Sequence, residues 1–123
     1  MNKFSLILWE FHGGPNQLWK FVPDNLGNYS IVNVASGGTL EIPDHSNAQQ
    51  GTNLHVNQPS NTINEKWRVV PAQGVAKGKG FVIVSAFNQL ALDIKGGIVA
   101  NNTNIIIWQG NNQLNQTWCI APV

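Results

Sequence analysis

Apolar residues recur at every second position in short bursts along this chain, and Gly, Pro and Asn separate one burst from the next. Leu6 and Leu8 fall on one face of an extended stretch and Ile7 and Trp9 on the other, while Trp19 and Phe21 share a face after the His12-Gly13-Gly14-Pro15 break. From Tyr29 the pattern predicts four strands, 29–34, 39–42, 52–57 and 66–70. A Ser36-Gly37-Gly38 turn separates the first two and polar loops the rest. The same order returns from Phe81. Its first fourteen residues align with those from Tyr29 at a fixed shift of 52, so that Ile31 matches Ile83, Leu40 matches Leu92, Glu41 matches Asp93 and Ile42 matches Ile94. No segment sustains apolar spacing of three and four over ten residues, which predicts almost no helix and a closed or nearly closed all-β architecture.

A second periodicity runs through these bursts. Asn16-Gln17-Leu18-Trp19, Asn64-Glu65-Lys66-Trp67 and Asn115-Gln116-Thr117-Trp118 are variants of one motif. The strand before each ends ten positions ahead of the closing tryptophan, at Trp9, Asn57 and Trp108. A constant offset at three places marks an internal repeat. The units run 1–26, 27–76 and 77–123 within a single domain, and the first holds only its last two strands.

Composition narrows the function. A chain of 123 residues and 13.5 kDa is large enough for one core without staples. Charged residues make up 11% of it, against about 25% in an average domain, so its contacts rest on neutral amides and hydroxyls. A net charge of +1 with no sustained Lys/Arg run argues against a nucleic-acid partner, and Lys77-Gly78-Lys79-Gly80 reads as a solvated turn. Cys119 is the one cysteine, so no intrachain disulfide forms, and its place in the run Trp118-Cys119-Ile120 suggests a small strand hydrophobe. The opening residues imitate a leader, but the apolar run is short, Glu10 interrupts it, and it contains the repeated strand. It is expected to be structure, and the chain cytoplasmic or secreted by a non-classical route. No apolar stretch approaches the roughly 20 residues of a membrane span, so no membrane insertion is expected. His12, His45 and His55 lack metal-ligand spacing and Cys119 lacks the local pattern of a nucleophile, which predicts no metal, no cofactor and no enzymatic activity.

Gln17-Leu18-Trp19, Gln116-Thr117-Trp118 and the degenerate Glu65-Lys66-Trp67 resemble the Gln-x-Trp repeats of ricin-B-type lectins, and residues 8–19 resemble the fungal and bacterial branches most. The resemblance covers nearly the whole chain. It implies a β-trefoil, in which three repeats each give two strands to a six-stranded barrel and two to a hairpin cap. Against that pattern the first repeat is N-terminally incomplete, and about ten strands of twelve are expected. The gap would leave backbone groups unpaired along the barrel wall, to be met by altered closure, by a truncated segment, or by a second chain in a homodimer or larger assembly.

The resemblance also implies a sugar pocket made of an acidic residue after the second strand, an aromatic ending the third, and the Asn and Gln of the closing motif. The carboxylate would accept sugar hydroxyls, the ring would stack on the apolar face of the sugar, and the amides would donate and accept. The third unit alone has the full set, Asp93, Trp108, Asn115 and Gln116. Strand parity agrees: Leu90, Leu92 and Ile94 share a face that leaves Asp93 on the other, and Ile105 and Ile107 do the same for Trp108. Trp108 as a mere cover for the barrel edge is the alternative. A possible second site holds Trp9, His12, Asn16 and Gln17 and would need a carboxylate from elsewhere. Glu41, Asn57 and Glu65 of the second unit offer no ring, so that unit is expected to be silent. Trp19, Trp67 and Trp118 are expected in the core. The chain is therefore expected to be a lectin for galactose or N-acetylgalactosamine glycans. The alternative is a protease inhibitor or protein-interaction module on the same fold, acting through loops 43–51 or 71–80.

Overall fold

The computed structural model describes residues 4–43 and 49–122, and the statements that follow concern those residues; His45 and most of loop 43–51 lie outside them. The alternating bursts form nine strands: β1 (Phe4–Ser5), β2 (Trp19–Pro23), β3 (Tyr29–Asn33), β4 (Thr39–Glu41), β5 (His55–Asn57), β6 (Trp67–Pro71), β7 (Phe81–Ser85), β8 (Ala91–Ile94) and β9 (Ile105–Trp108). All pairings are antiparallel and join one sheet. Trp118 adds a further extended position through a single bridge to Phe81. No α-helix occurs among the described residues; the helical turns are 3₁₀, and one precedes each closing tryptophan, at Pro15–Gln17, Ile63–Glu65 and Leu114–Gln116.

Alternation dictates the core. Ile31, Leu40, Ile42, Ile83, Leu92 and Ile94, the residues matched at the shift of 52, are buried together with Leu54, Trp67, Ile105 and Ile107. β-branched and leucine side chains at every second position fill a half-buried pleated surface well, and their burial is the main term holding the strands together.

The threefold plan is clearest at one end, where the third strands of the units meet. Leu6 N–H donates to the Leu54 carbonyl at 2.8 Å, Leu54 N–H to Ile105 at 3.0 Å, and Ile105 N–H back to Leu6 at 3.0 Å. Each of the three lies three residues before the strand end marked at Trp9, Asn57 and Trp108, so the sequence repeat and the ring of hydrogen bonds are one register. Backbone groups that would otherwise be orphaned on the axis satisfy one another.

The wall around this cap is made by pairing the last strand of one unit with the first of the next: β2 with β3, from Trp19↔Asn33 to Pro23↔Tyr29, and β6 with β7, from Trp67↔Ser85 to Pro71↔Phe81. Bridges Tyr29↔Trp67 and Phe81↔Trp118 join first and last strands within a unit. Among the described residues β2 has no partner besides β3, so the wall is open between β2 and the Trp118 segment.

That opening grades the three closing tryptophans. Trp67 is fully buried and its indole N–H donates to the Leu40 carbonyl at 3.1 Å. Trp118 makes the matching bond to Leu92 at 3.2 Å but is only partly buried. Trp19 is also partly buried, and its indole finds no acceptor among the described residues, because the acceptor in the other units lies on the second strand. The core expectation thus holds in full for Trp67 alone. Cys119 differs too: it is exposed rather than packed as a strand hydrophobe, since the extended run after Trp118 has nothing to pair with.

Candidate functional site

In the third unit β8 and β9 pair with Asp93 opposite Ile106 and Trp108 opposite Ala91. Residues opposite one another share a face, so Asp93 and Trp108 are diagonal neighbours, about 7–8 Å apart at the backbone, on the side away from the core. The 3₁₀ turn at Leu114–Gln116 folds over that side. Its motif residues both reach the acid: Gln116 Nε2 donates to Asp93 Oδ2 at 2.7 Å and Asn115 Nδ2 donates to the same oxygen at 3.2 Å. Gln116 is itself fixed, with Nε2 also donating to the Gln109 carbonyl at 2.9 Å and Oε1 accepting from Asn111 N–H at 2.9 Å.

Parity is right about Asp93 but exposure is not. The side chain turns away from the core, as expected, yet it is only 4% exposed, because the closing turn roofs the outer face of β8. Its Oδ1 takes no hydrogen bond from a described residue and is not sealed from solvent. It is therefore a fixed, outward-facing acceptor. Trp108 is 43% exposed. Together Asp93, Lys95, Ile106, Trp108, Asn111 and Asn115 line a hollow of about 410 Å³.

The second unit supplies the far wall. Gly51 lies against the Trp108 ring, at a distance where an added Cβ would touch its edge at 3.7 Å, and its N–H donates to the Ile107 carbonyl at 2.8 Å. Beside it Gln50 Oε1 accepts from Gln109 N–H at 2.8 Å. Sequence reasoning missed Gly51, Gln50, Lys95 and Asn111. Lys95, two positions beyond Asp93 at the end of β8, was open to the same parity argument; Gly51 is a contact between units that no local pattern announces.

The first unit repeats this framework without its acid. Gln17 Oε1 accepts from His12 N–H at 2.7 Å and Gly13 N–H at 3.2 Å, while Nε2 donates to the Glu10 carbonyl at 2.9 Å. The bonds to His12 and Glu10 are those of Gln116 to Asn111 and Gln109 shifted by 99 residues. Trp9 is exposed. His12 faces inward to its own loop, with Nδ1 accepting from Gly14 N–H at 3.0 Å, and no carboxylate bonds to Asn16 or Gln17 among the described residues. In the second unit Glu65 takes the place of Gln116. Its carboxylate accepts from Ser60 N–H at 2.8 Å and Asn61 N–H at 3.1 Å, so it closes its own loop; Glu41 is buried, and Asn57, opposite Thr39, stands where the third unit has Trp108 opposite Ala91.

A threefold ring of third strands, walls built between units and a 3₁₀ turn over each cap strand define a β-trefoil. The family model described as "Ricin-type beta-trefoil lectin domain-like" matches residues 3–57 and 15–108, and the chain belongs to that family, whose fold supports carbohydrate binding. No curated protein matches the chain. Among solved structures it is similar to the designed threefold-symmetric protein ThreeFoil, with a TM-score of 0.90, 25% identity, and coverage of 100% of this chain and 84% of that one. A Macrolepiota procera ricin B-like lectin in complex with lactose gives a TM-score of 0.79 and 25% identity over 94% of this chain and 77% of that one. An exo-β-1,3-galactanase from Clostridium thermocellum gives 0.83 and 25% identity over 94% of this chain, which spans only 24% of the galactanase.

Proposed function

We propose that this domain is a lectin for galactose-type sugars and that the third unit holds its principal site, formed by Asp93, Trp108, Asn115 and Gln116. One observation carries the reading: a buried carboxylate, held by two amide donors on one oxygen and with no bond to its other oxygen among the described residues, lines a hollow of sugar size together with a half-exposed tryptophan. An acceptor-only oxygen suits a pair of vicinal hydroxyls, the indole offers its face to the C–H side of the ring, and Asn115 keeps one N–H and its carbonyl free for a further hydroxyl. The lactose complex of the Macrolepiota procera lectin supports the choice of galactosides.

The first unit offers Trp9, His12, Asn16 and Gln17 without an acid, and we assign it weaker binding; the second unit is silent. A monosaccharide in a shallow site binds at roughly millimolar to high-micromolar affinity, so useful avidity calls for several sites. The open edge of β2 is suited to recruiting a second copy, which gives a homodimer or larger assembly. Light scattering across the micromolar range checks this, and a strict monomer refutes it. The binding test is an NMR titration with lactose. The parent should saturate in the millimolar range, and Trp108→Ala, which removes the stacking face, should weaken binding about tenfold, or about 1.4 kcal/mol. Parent-like binding by that variant removes the assignment.

A further inference from the structure

Among the described residues that line the hollow, Lys95 is the one cation. Its backbone is fixed at the exit of β8, with N–H donating to the Asn104 carbonyl at 3.1 Å and its own carbonyl accepting from Ile98 N–H at 3.3 Å. The side chain has neither an ion-pair partner nor a hydrogen-bond acceptor among the described residues, whereas Lys66 bonds to Ser30 and Arg68 to Gln89. Asp93, the one acid among the described residues lining the hollow, is bonded to Gln116 and Asn115, and no ion pair joins it to Lys95. Gly96 and Gly97 follow, both at positive φ, and an added Cβ at Gly97 would meet nothing within 4 Å, so the turn that follows Lys95 is uncrowded. The matched position of the second unit is Pro43. The cation belongs to the one unit with a complete sugar set.

From this placement we infer that the third-unit site prefers galactosides carrying an acidic substituent, a sulfate or a carboxylate, which Lys95 meets as a counter-charge at the rim. The inference rests on the proposed galactoside site and names its ligand class. A neutral hydroxyl would exchange one hydrogen bond of the solvated ammonium for another and gain little. An anionic group adds a charge interaction in a chain where charged side chains are scarce.

The probes are galactose and galactose 6-sulfate, titrated by NMR into the intact chain at low salt. An exposed ion pair is worth about two- to fivefold in affinity, so the sulfated sugar should bind that much more tightly than galactose. Raising ionic strength to about 0.5 M, where screening shortens the reach of exposed charges to a few ångströms, should close the gap. Lys95→Gln should bring the ratio of the two affinities to about one. Equal affinities in the parent, or a ratio that survives in Lys95→Gln, overturn the role of Lys95 and leave the galactoside reading standing. If neither sugar binds, the galactoside reading fails, and this inference fails with it.

Discussion

Asp93→Asn separates the internal bonds of the acid from the sugar contact proposed for it, because the two carboxylate oxygens differ in their partners. Oδ2 accepts from Gln116 and Asn115; Oδ1 faces the hollow. An asparagine must keep its carbonyl oxygen toward those two donors, since turning the amide over would set N–H against N–H at 2.7 Å from a buried group. Its NH₂ then points into the hollow, and an acceptor-only position becomes a donor. Two hydroxyl hydrogen bonds to a charged acceptor, worth about 1.5–3 kcal/mol each, are lost. Allowing for partial rescue by water, sugar affinity should fall at least about tenfold, or about 1.4 kcal/mol. Stability should change far less. The internal bonds persist without charge assistance, a loss of about 1 kcal/mol, and removal of a buried charge offsets part of it. Asp93→Ala should behave differently, because it leaves one hydrogen of Gln116 Nε2 buried without a partner and costs about 1–3 kcal/mol of folding free energy. Lactose titration by NMR and urea unfolding read both quantities. Asp93→Asn binding like the parent would show that Oδ1 is not the sugar's acceptor, and Asp93→Asn unfolding like Asp93→Ala would show that the amide cannot hold the turn.

Other outcomes follow from the same bonds. Trp67→Phe deletes an indole bond to Leu40 and leaves a gap in a fully buried position, and should cost about 2–4 kcal/mol, while Trp19→Phe, whose indole has no acceptor among the described residues, should cost under about 1 kcal/mol; paired urea melts compare them. Gly80→Ala should destabilise by about 2 kcal/mol or more and break the Phe81↔Trp118 bridge, seen as loss of amide protection at Trp118, because at φ 149° an added Cβ would collide with the Trp118 carbonyl. N–H groups of Leu26 and Asn28, in that order of effect, hold the Asp24 carboxyl below its ordinary value. A depressed acid stabilises the fold above its unfolded value near about 3.9 and loses that contribution as pH falls toward the folded value, so Asp24→Ala should flatten the acid limb of the stability curve below about pH 4.

How much of this was written in the chain depends on the range of the interaction involved. Alternation placed Ile83, Leu92, Ile94, Ile105 and Ile107 in the core and turned Asp93 and Trp108 the other way, since side-chain direction in a strand is set by parity alone. The constant offset of ten located Leu6, Leu54 and Ile105, which close the ring on the axis. Burial of Asp93 was not legible, because it comes from a turn more than twenty residues later lying across β8, and parity says nothing about what covers a face. The contrast between Gln116 and Glu65 shows where the boundary falls. Both residues sit at the same position of the same 3₁₀ turn, and both satisfy backbone N–H groups of the loop before them. An amide can do this with its oxygen and still offer N–H to an acid on the neighbouring strand, whereas a carboxylate has acceptors only. The Gln-to-Glu change, readable in the sequence as a degenerate motif, thus removes the donor that orients the acid in the third unit. With Asn57 in place of the ring, the second unit keeps the fold of the repeat without the indole and the amide donor of the third.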